Sequence, residues 1–190
     1  QTQLGSQHDK SERVRALAQA IAATIGGDPA LADRAAMLSK CDLLTNMVAE
    51  FPELQGLMGR YYALHDHEPA EVAEALREQY LPRFAGDALP ATRTGMALSI
   101  ADKLDTIAGI YATGQKPTGT RDPFGLRRAA LGLLRTSIER GLDLDLQQLI
   151  GQAVAAARDD MARVATGQGR SLSAIDAEKL AVEVYDYVLE

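Results

Sequence analysis

The sequence concentrates positive charge in one stretch, although the chain as a whole is acidic. Between Lys116 and Arg140 there are six basic residues and only two acids, Asp122 and Glu139, so this stretch carries +4 while the whole chain carries −6. Arginine forks bind phosphate oxygens in bidentate fashion, and such contacts position a nucleic acid without reading its sequence. The stretch is therefore a candidate for contact with a phosphate-rich partner.

A helix over this stretch would place two of its arginines on one face. Arg128 and Arg135 are seven residues apart, and Gly132 between them is expected to leave that face low and open. Arg127 lies about 100° further round the helix. The predicted apolar stripe of the helix consists of Leu131, Leu134 and Ile138. The alternative interpretation is that these arginines pair with the surplus acids elsewhere in the chain.

The residues before this helix predict a turn and a helix cap. Pro117 and Gly119 suit positions i+1 and i+3 of a type I turn. Asp122 is expected to cap the helix, with Pro123 at its first position. Because a carboxylate would then fill the helix N-terminus, and because the GxxxxGK[ST] pattern is missing, we do not expect a phosphate cradle here.

Four other residues with ligating or nucleophilic side chains are interpreted as structural. His65 and His67 lie two apart in a predicted loop without an evident third ligand, so a solvated loop is expected rather than a metal site. His8, near the start of the chain, is expected to be exposed. Cys41, beside apolar residues, is expected to be buried and inert.

Two acids three residues apart, Asp102 and Asp105, could act as paired carboxylates. Ion pairing with Lys40 and Lys103 is the favoured interpretation.

Aromatic residues could stack on unpaired bases. Because only 5% of the chain is aromatic and tryptophan is absent, they are instead expected to fill the core, with the tyrosine hydroxyl groups exposed. The residues concerned are Phe51, Tyr61, Tyr62, Tyr80 and Phe84.

The elements that must position these side chains are all predicted to be helices. Alanine and leucine dominate the apolar residues and favour helix, and no segment alternates convincingly like a strand. The lone Cys41 excludes an internal disulfide and suits a reducing compartment. No apolar run approaches the roughly 20 residues that cross a bilayer. The opening residues lack both the apolar centre of a signal peptide and an initiator methionine, so we expect the chain to be cut from something larger.

The spacing of apolar residues and caps predicts about seven or eight helices. The first is expected at about 10–25 with Asp9 as its cap, and the second at 29–51 with Asp28 as its cap. The remaining helices are expected at about 53–65, 68–80, 92–112, 123–141, 143–165 and 172–190.

Four longer motifs resemble the beta subunit family of bacterial glycyl-tRNA synthetase, the form built from two alpha and two beta chains. They are QLGSQHDKSERVRALAQAI (3–21), LSKCDLLTNMVAEFPELQGLMGRYYA (38–63), YLPRFAGDALP (80–90) and IADKLDTIAGIYATGQKPTGTRDPFGLRRAALGLLR (100–135). The resemblance covers roughly residues 1–150 and thins over 151–190.

The resemblance implies a fold, a role and partners. It implies an all-α, HD-type helical domain over residues 1–166 and a C-terminal helix, 167–190, that leads towards the next domain. This module would support tRNA(Gly) binding and aminoacylation together with the alpha subunit, which holds the ATP and glycine site. No cofactor is expected in the module itself, and its location is expected to be cytoplasmic, without a membrane partner. The expected tRNA contacts are Arg128, Arg135, Arg127, Lys116 and Arg121.

The HD resemblance also raises the question of a metal site. HD phosphohydrolases hold metal with an early His, a His-Asp pair and a late Asp, but the matching positions here are Lys10 or Arg13, then Ser39-Lys40 or Cys41-Asp42, and finally Asp102. A lysine would repel a divalent ion, so we hypothesise that Lys40 occupies the place of the metal and pairs with Asp102. No catalytic or metal-binding residue is therefore expected. The alternatives are a surviving metal-dependent phosphohydrolase and a purely structural scaffold between domains.

Overall fold

The computed structural model describes residues 2–118, 121–169 and 176–190. This part of the chain is helical without a β-strand, which confirms the all-α class and the approximate number of helices. Its α-helices are α1 (Gln7–Thr24), α2 (Pro29–Leu38), α3 (Asn46–Glu50), α4 (Leu57–His65), α5 (Ala70–Glu78), α6 (Arg93–Ala112), α7 (Leu126–Glu139), α8 (Leu146–Gly167) and α9 (Ala177–Leu189). Short 3₁₀ helices cover Thr2–Leu4, Cys41–Leu44 and Pro52–Leu54.

Helix α6 is the centre of the bundle. It packs against α1, α5, α7 and α8, and its apolar residues are buried on every side rather than along one stripe. Leu98, Ile100, Leu104 and Ile107 are fully buried. A helix that is apolar all round belongs inside a protein, so the charged residues in the middle of α6, such as Lys103 and Asp105, are largely shielded from water.

Helix α9 shares this core. Leu180, Val184 and Val188 are buried in the same apolar cluster as α6 and α8, and the Tyr111 and Tyr187 rings lie 5.1 Å apart. The domain boundary expected between residues 166 and 167 stays a prediction. Within the described residues, no helix is both long and apolar enough to cross a membrane.

Two helix starts differ from the sequence prediction. Helix α1 begins earlier, because Ser6 rather than Asp9 is its cap; the Ser6 hydroxyl accepts the Asp9 N–H while the Asp9 carboxylate accepts the Ser6 N–H, a capping box. Helix α7 begins at Leu126 rather than Pro123, because Gly125 before it has a left-handed backbone with φ 67°.

The predicted second helix, 29–51, is broken into three pieces. Helix α2 ends at Leu38, a 3₁₀ turn follows at Cys41–Leu44, and Thr45 caps the separate α3 by accepting the Val48 N–H at 3.3 Å. Asp42 fixes this bend, since its carboxylate accepts the backbone N–H groups of Gly56 and Gly59. Pairing with the backbone of another segment therefore overrides the local helical pattern.

The long connection between α5 and α6 is closed by a single carboxylate. Glu78 accepts hydrogen bonds from the N–H of Ala91 and from both the N–H and the hydroxyl of Thr92, the cap of α6. Residues 81–91 therefore lie as a loop over α6 and α7, and this loop buries Pro82 while Arg83 stays exposed.

Candidate functional site

The side chains that occupy the HD positions form a buried cluster of ion pairs. Asp102 on α6 has two ammonium groups on the same oxygen, with Lys40 Nζ 3.2 Å and Lys10 Nζ 3.3 Å from its Oδ1. The hypothesised pairing of Lys40 with Asp102 is thus confirmed. Burial opposes ionisation of Asp102, but Lys10, Lys40 and Lys103 outweigh it and hold the pKa of Asp102 below its usual range.

The neighbouring acid, Asp105, pairs differently from the prediction. Its Oδ1 accepts the Arg13 Nε–H at 2.6 Å and its Oδ2 lies 3.1 Å from Lys10 Nζ. Arg13 also donates to Asp160 on α8 at 2.6 Å and to the Leu4 carbonyl at 3.1 Å. Three cations, Lys10, Arg13 and Lys40, therefore face three carboxylates, and the cluster ties α1, α6 and α8 together.

Lys103 was expected to pair with Asp102 or Asp105, and that expectation is wrong. Its ammonium group instead donates to the Ser99 hydroxyl at 2.7 Å and to the carbonyls of Leu81 at 2.8 Å and Gln79 at 3.3 Å. The reason is its position on α6, which points it at the loop after α5 rather than at α1. Burial lowers the pKa of Lys103 to about 8, with Asp102 opposing and Lys40 adding to the shift.

The donor set does not fit a divalent metal ion. Lys10 and Lys40 bring two positive charges to the one carboxylate that matches the HD pattern. Across residues 2–118, 121–169 and 176–190, no group of three or more His, Cys, Asp or Glu side chains is arranged to hold a metal. We derive no hydrolytic step through a metal at this site.

A cavity of about 640 Å³ opens beside this cluster. Asp102 and Lys103 form its floor, and the loop after α5 and the beginning of α7 contribute its walls. The side chains of Glu53, Tyr80, Arg83, Phe124 and Arg128 also line the cavity. Gln55 Nε2 donates to the Tyr80 hydroxyl at 2.7 Å, and Lys40 Nζ lies 4.7 Å from the centroid of the Tyr80 ring.

The five residues predicted to contact tRNA do not form one uniform surface. Arg128 is exposed and, among the described residues, has no hydrogen-bond or ion-pair partner. Arg135 is half-buried and pairs with Glu139 at 2.8 Å. Lys116 pairs with Glu183 on α9 and lies over the Tyr111 ring. Arg135 thus pairs within its own stretch, and Lys116 pairs with an acid elsewhere in the chain, as the alternative interpretation expected for the arginines.

The other two predicted contacts lie at the entry to α7. Arg127 is exposed, and its N–H donates to the Asp122 carboxylate at 2.9 Å. Arg121 is exposed, and its backbone exchanges two hydrogen bonds with Thr118. Asp122 also accepts the Leu126 N–H at 2.8 Å, so a carboxylate does fill this helix N-terminus as predicted. The expected turn at Pro117–Gly119 falls partly outside the described residues.

Two expectations about α7 itself are wrong. The face between Arg128 and Arg135 is not open, because Gly132 is buried: a Cβ there would lie 2.9 Å from Lys103 Cε and 3.3 Å from Pro82 Cγ. The predicted apolar stripe is also misplaced, since Leu131 is 45% and Ile138 is 74% exposed. The buried face consists of Leu126, Ala130, Leu133 and Ser137. Contact with the central α6 at Gly132 rotates the helix away from the apolar pattern.

Several smaller expectations can also be compared with the structure. His8, His65 and His67 are exposed, as predicted. Cys41 is exposed rather than buried, because it lies on the 3₁₀ turn that interrupts the predicted helix. The aromatic residues are not core fillers: among them only Tyr80 is half-buried. The exposed ones are Phe51, Tyr61, Tyr62 and Phe84.

The sequence offered no signal for the functional candidates Arg83 and Phe124. Both lie outside helices and enter the cavity wall only because loops fold back onto α6 and α7. Lys103 could have been suspected, since it follows Ser99 by one helical turn within a segment that is otherwise apolar.

Comparison with known proteins gives a consistent result. The family described as "Glycyl-tRNA synthetase beta subunit" matches residues 1–190. The "Glycine--tRNA ligase beta subunit" of Chromohalobacter salexigens is 52% identical over 190 residues, which is 100% of this chain and 26% of that protein. The subunit of the same name from Hahella chejuensis is 54% identical over 190 residues, and that from Ectopseudomonas mendocina is 61% identical over 155 residues, or 82% of this chain. The chain thus spans about a quarter of the length of these relatives.

Proposed function

Since the chain belongs to the glycyl-tRNA synthetase beta subunit family, we propose that it is a non-catalytic helical module of a glycine–tRNA ligase. In this proposal it supports tRNA(Gly) binding and aminoacylation in a cytoplasmic complex with an alpha subunit, and the alpha subunit uses the ATP. The names of the relatives support the ligase and the subunit. The division of labour between the subunits is part of the proposal.

The observation that carries the non-catalytic role is the pair of ammonium groups on Asp102. A metal-dependent hydrolase needs a bound ion to lower the pKa of a water molecule and so create a nucleophile. Here the ammonium groups of Lys40 and Lys10 lie beside that carboxylate, 3.2 and 3.3 Å from its Oδ1. In this proposal the positions that would hold the metal in an HD enzyme serve instead to join α1 and the segment after α2 to α6.

For the tRNA contact we propose a set of five basic residues, the basic ridge: Arg128, Arg135, Arg127, Lys116 and Arg121. Arg128 has the strongest support, because its guanidinium is exposed and unpaired among the described residues. Arg135 and Lys116 would have to exchange an internal carboxylate for a phosphate. The remainder of the chain is negative and would repel a nucleic acid elsewhere, so binding is expected on this side.

Charge reversal in the complete ligase tests the basic ridge. Arg128→Glu with Arg135→Glu should raise the KM for tRNA(Gly) and reduce the slope of log KM against log salt by about one per lost phosphate contact. Arg15→Glu is the matched control, because it reverses the charge of an arginine that lies outside the basic ridge and pairs with Asp33. An unchanged KM and an unchanged salt slope would instead support a purely structural scaffold.

A further inference from the structure

The cavity beside Asp102 presents guanidinium groups that the protein leaves almost unused. Arg128 has no hydrogen-bond or ion-pair partner in the described part of the chain. The Arg83 side chain reaches only the Gln55 carbonyl, at 3.5 Å, which is long for a hydrogen bond. Arg13, by contrast, pairs with the Asp105 carboxylate at 2.6 Å. Two arginines without such a partner on one cavity are therefore available to an anion.

The floor of the cavity adds a third cation. Lys103 is 8% exposed and forms no ion pair with a carboxylate of the described residues, since its donors go to the Ser99 hydroxyl and two carbonyls. The charge of Asp102 on the same floor is offset by Lys10 and Lys40.

The acid that remains in the cavity wall is Glu53. The cations Arg83, Lys103 and Arg128 outnumber it, and walls of low dielectric strengthen their attraction for an anion.

The size and the walls of the cavity suit more than a single ion. A volume of about 640 Å³ falls within the range of small-molecule sites, roughly 300–1,000 Å³. Tyr80 and Phe124 line the cavity as well, and Phe124 remains 38% exposed. Aromatic rings stack on nucleic acid bases irrespective of sequence, and arginine forks match phosphate oxygens. Together they fit a phosphate joined to a flat heterocycle.

We propose that this cavity binds one nucleotide, with its phosphate held by Arg83 and Arg128 and its base against Phe124. Two sources share this chemistry: a free nucleoside monophosphate, or an unpaired nucleotide of an RNA. The second source rests on the proposed tRNA binding, and the first is independent of it. Lys103 contributes its charge rather than a hydrogen bond.

Hydrogen–deuterium exchange in the complete ligase can test the cavity locally, whatever else binds the probe elsewhere. The probes are AMP, inorganic phosphate and tRNA(Gly), and the reporting segments are 80–92 and 121–129. Titration of AMP into the wild-type enzyme should slow exchange in these segments. Arg83→Gln with Arg128→Gln should shift the midpoint roughly tenfold or more, because two charge-assisted hydrogen bonds are lost.

Two further variants separate this cavity from the basic ridge. Arg135→Gln removes a ridge arginine that does not line the cavity, and it should leave the AMP midpoint unchanged. Phe124→Ala should weaken AMP several-fold but not inorganic phosphate, and it serves as the independent test if the double arginine variant disturbs folding. Unchanged exchange in α8 reports an intact fold.

The outcomes are distinct. Protection by AMP identifies a free-nucleotide site. Protection of segment 80–92 by tRNA(Gly) but not by AMP, kept in Arg135→Gln and lost in Arg83→Gln/Arg128→Gln, identifies an RNA nucleotide; both outcomes support the cavity. No protection by either probe, or protection that is equal in wild type and Arg83→Gln/Arg128→Gln, overturns it. Failure of the basic ridge would appear separately, as an unchanged tRNA KM in the Arg135 variant alongside normal AMP protection.

Discussion

Two groups of positive charge near Asp102 differ in how they are satisfied. In one group, Lys10, Arg13 and Lys40 meet carboxylates at 2.6 to 3.3 Å inside the bundle. In the other group, Arg83 and Arg128 border a cavity with hardly a protein partner. A charge that the fold neutralises itself contributes to structure, whereas a charge left without a partner is free to act on another molecule. The number of basic residues in the sequence would not have distinguished these two groups.

The largest expected effect is on the satisfied group. Asp105→Asn leaves Arg13 and Lys10 without their shared carboxylate at a site where Asp105 is 2% exposed, and breaking such a buried pair should cost about 3–5 kcal/mol of unfolding free energy. Urea denaturation of the complete ligase or its beta subunit measures this. Asp33→Asn, which breaks the more exposed pair with Arg15, should cost less than about 1 kcal/mol. Equal losses would contradict the contrast between the two kinds of pair.

A double-mutant cycle sharpens the role of Lys40. Lys40→Met and Asp102→Leu should each destabilise the fold, because each leaves a buried charge less well compensated. The double variant should recover part of the loss, with a coupling energy of about 1–3 kcal/mol. Lys10 also lies on Asp102, so recovery will be partial rather than complete. Strictly additive losses would mean that the ion pair has no energetic significance.

Lys103 predicts an unusual dependence of stability on pH. Its pKa in the folded protein is about 8, below the ordinary value of 10.5, so the unfolded chain binds more protons in this window and stability should rise as pH increases from about 8 towards 10. The gain is limited to about 3 kcal/mol by the size of the shift. Urea midpoints at pH 7, 8, 9 and 10 should show the rise in wild type and a smaller one in Lys103→Met. Because burial lowers the pKa of Lys40 too, only the difference between the two proteins reports on Lys103.

The smallest expected effect is on the unsatisfied group. Arg128→Gln removes an exposed guanidinium without a partner among the described residues, so the urea midpoint should not change measurably. The same variant should weaken anion binding. If Arg128→Gln destabilised the fold as Asp105→Asn does, the two groups would not differ in kind.

The sequence predicted those features that depend on neighbouring residues. The helix at α6, the Asp28 cap with Pro29 after it, and the Asp122 carboxylate at the start of α7 are all local patterns. The Lys40–Asp102 pair was reached differently, from the resemblance to HD proteins combined with the charge of a lysine. A lysine at a position where HD proteins have a metal ligand indicated that Lys40 and Asp102 are close in space. The spacing of apolar residues along the chain does not contain that information.

What the sequence missed depends on tertiary contact. The bend after Leu38 is held by the bonds from Gly56 and Gly59 to the carboxylate of Asp42, fourteen and seventeen residues away. The rotation of α7 and the cavity wall formed by Arg83 follow from loops that fold over α6. No pattern within a single helix encodes such contacts. The cavity and its wall were therefore not predicted from the sequence, whereas the Lys40–Asp102 ion pair was.

The missing side chain at Gly132 has a consequence for how the site can evolve. The absence of a side chain at Gly132 lets α7 pack closely against Lys103 and Pro82. Even one methyl group there would push against the lysine stem and move the helix that carries Arg128. A substitution at Gly132 can thus change the position of Arg128 in the proposed nucleotide cavity, although residue 132 would not contact the nucleotide.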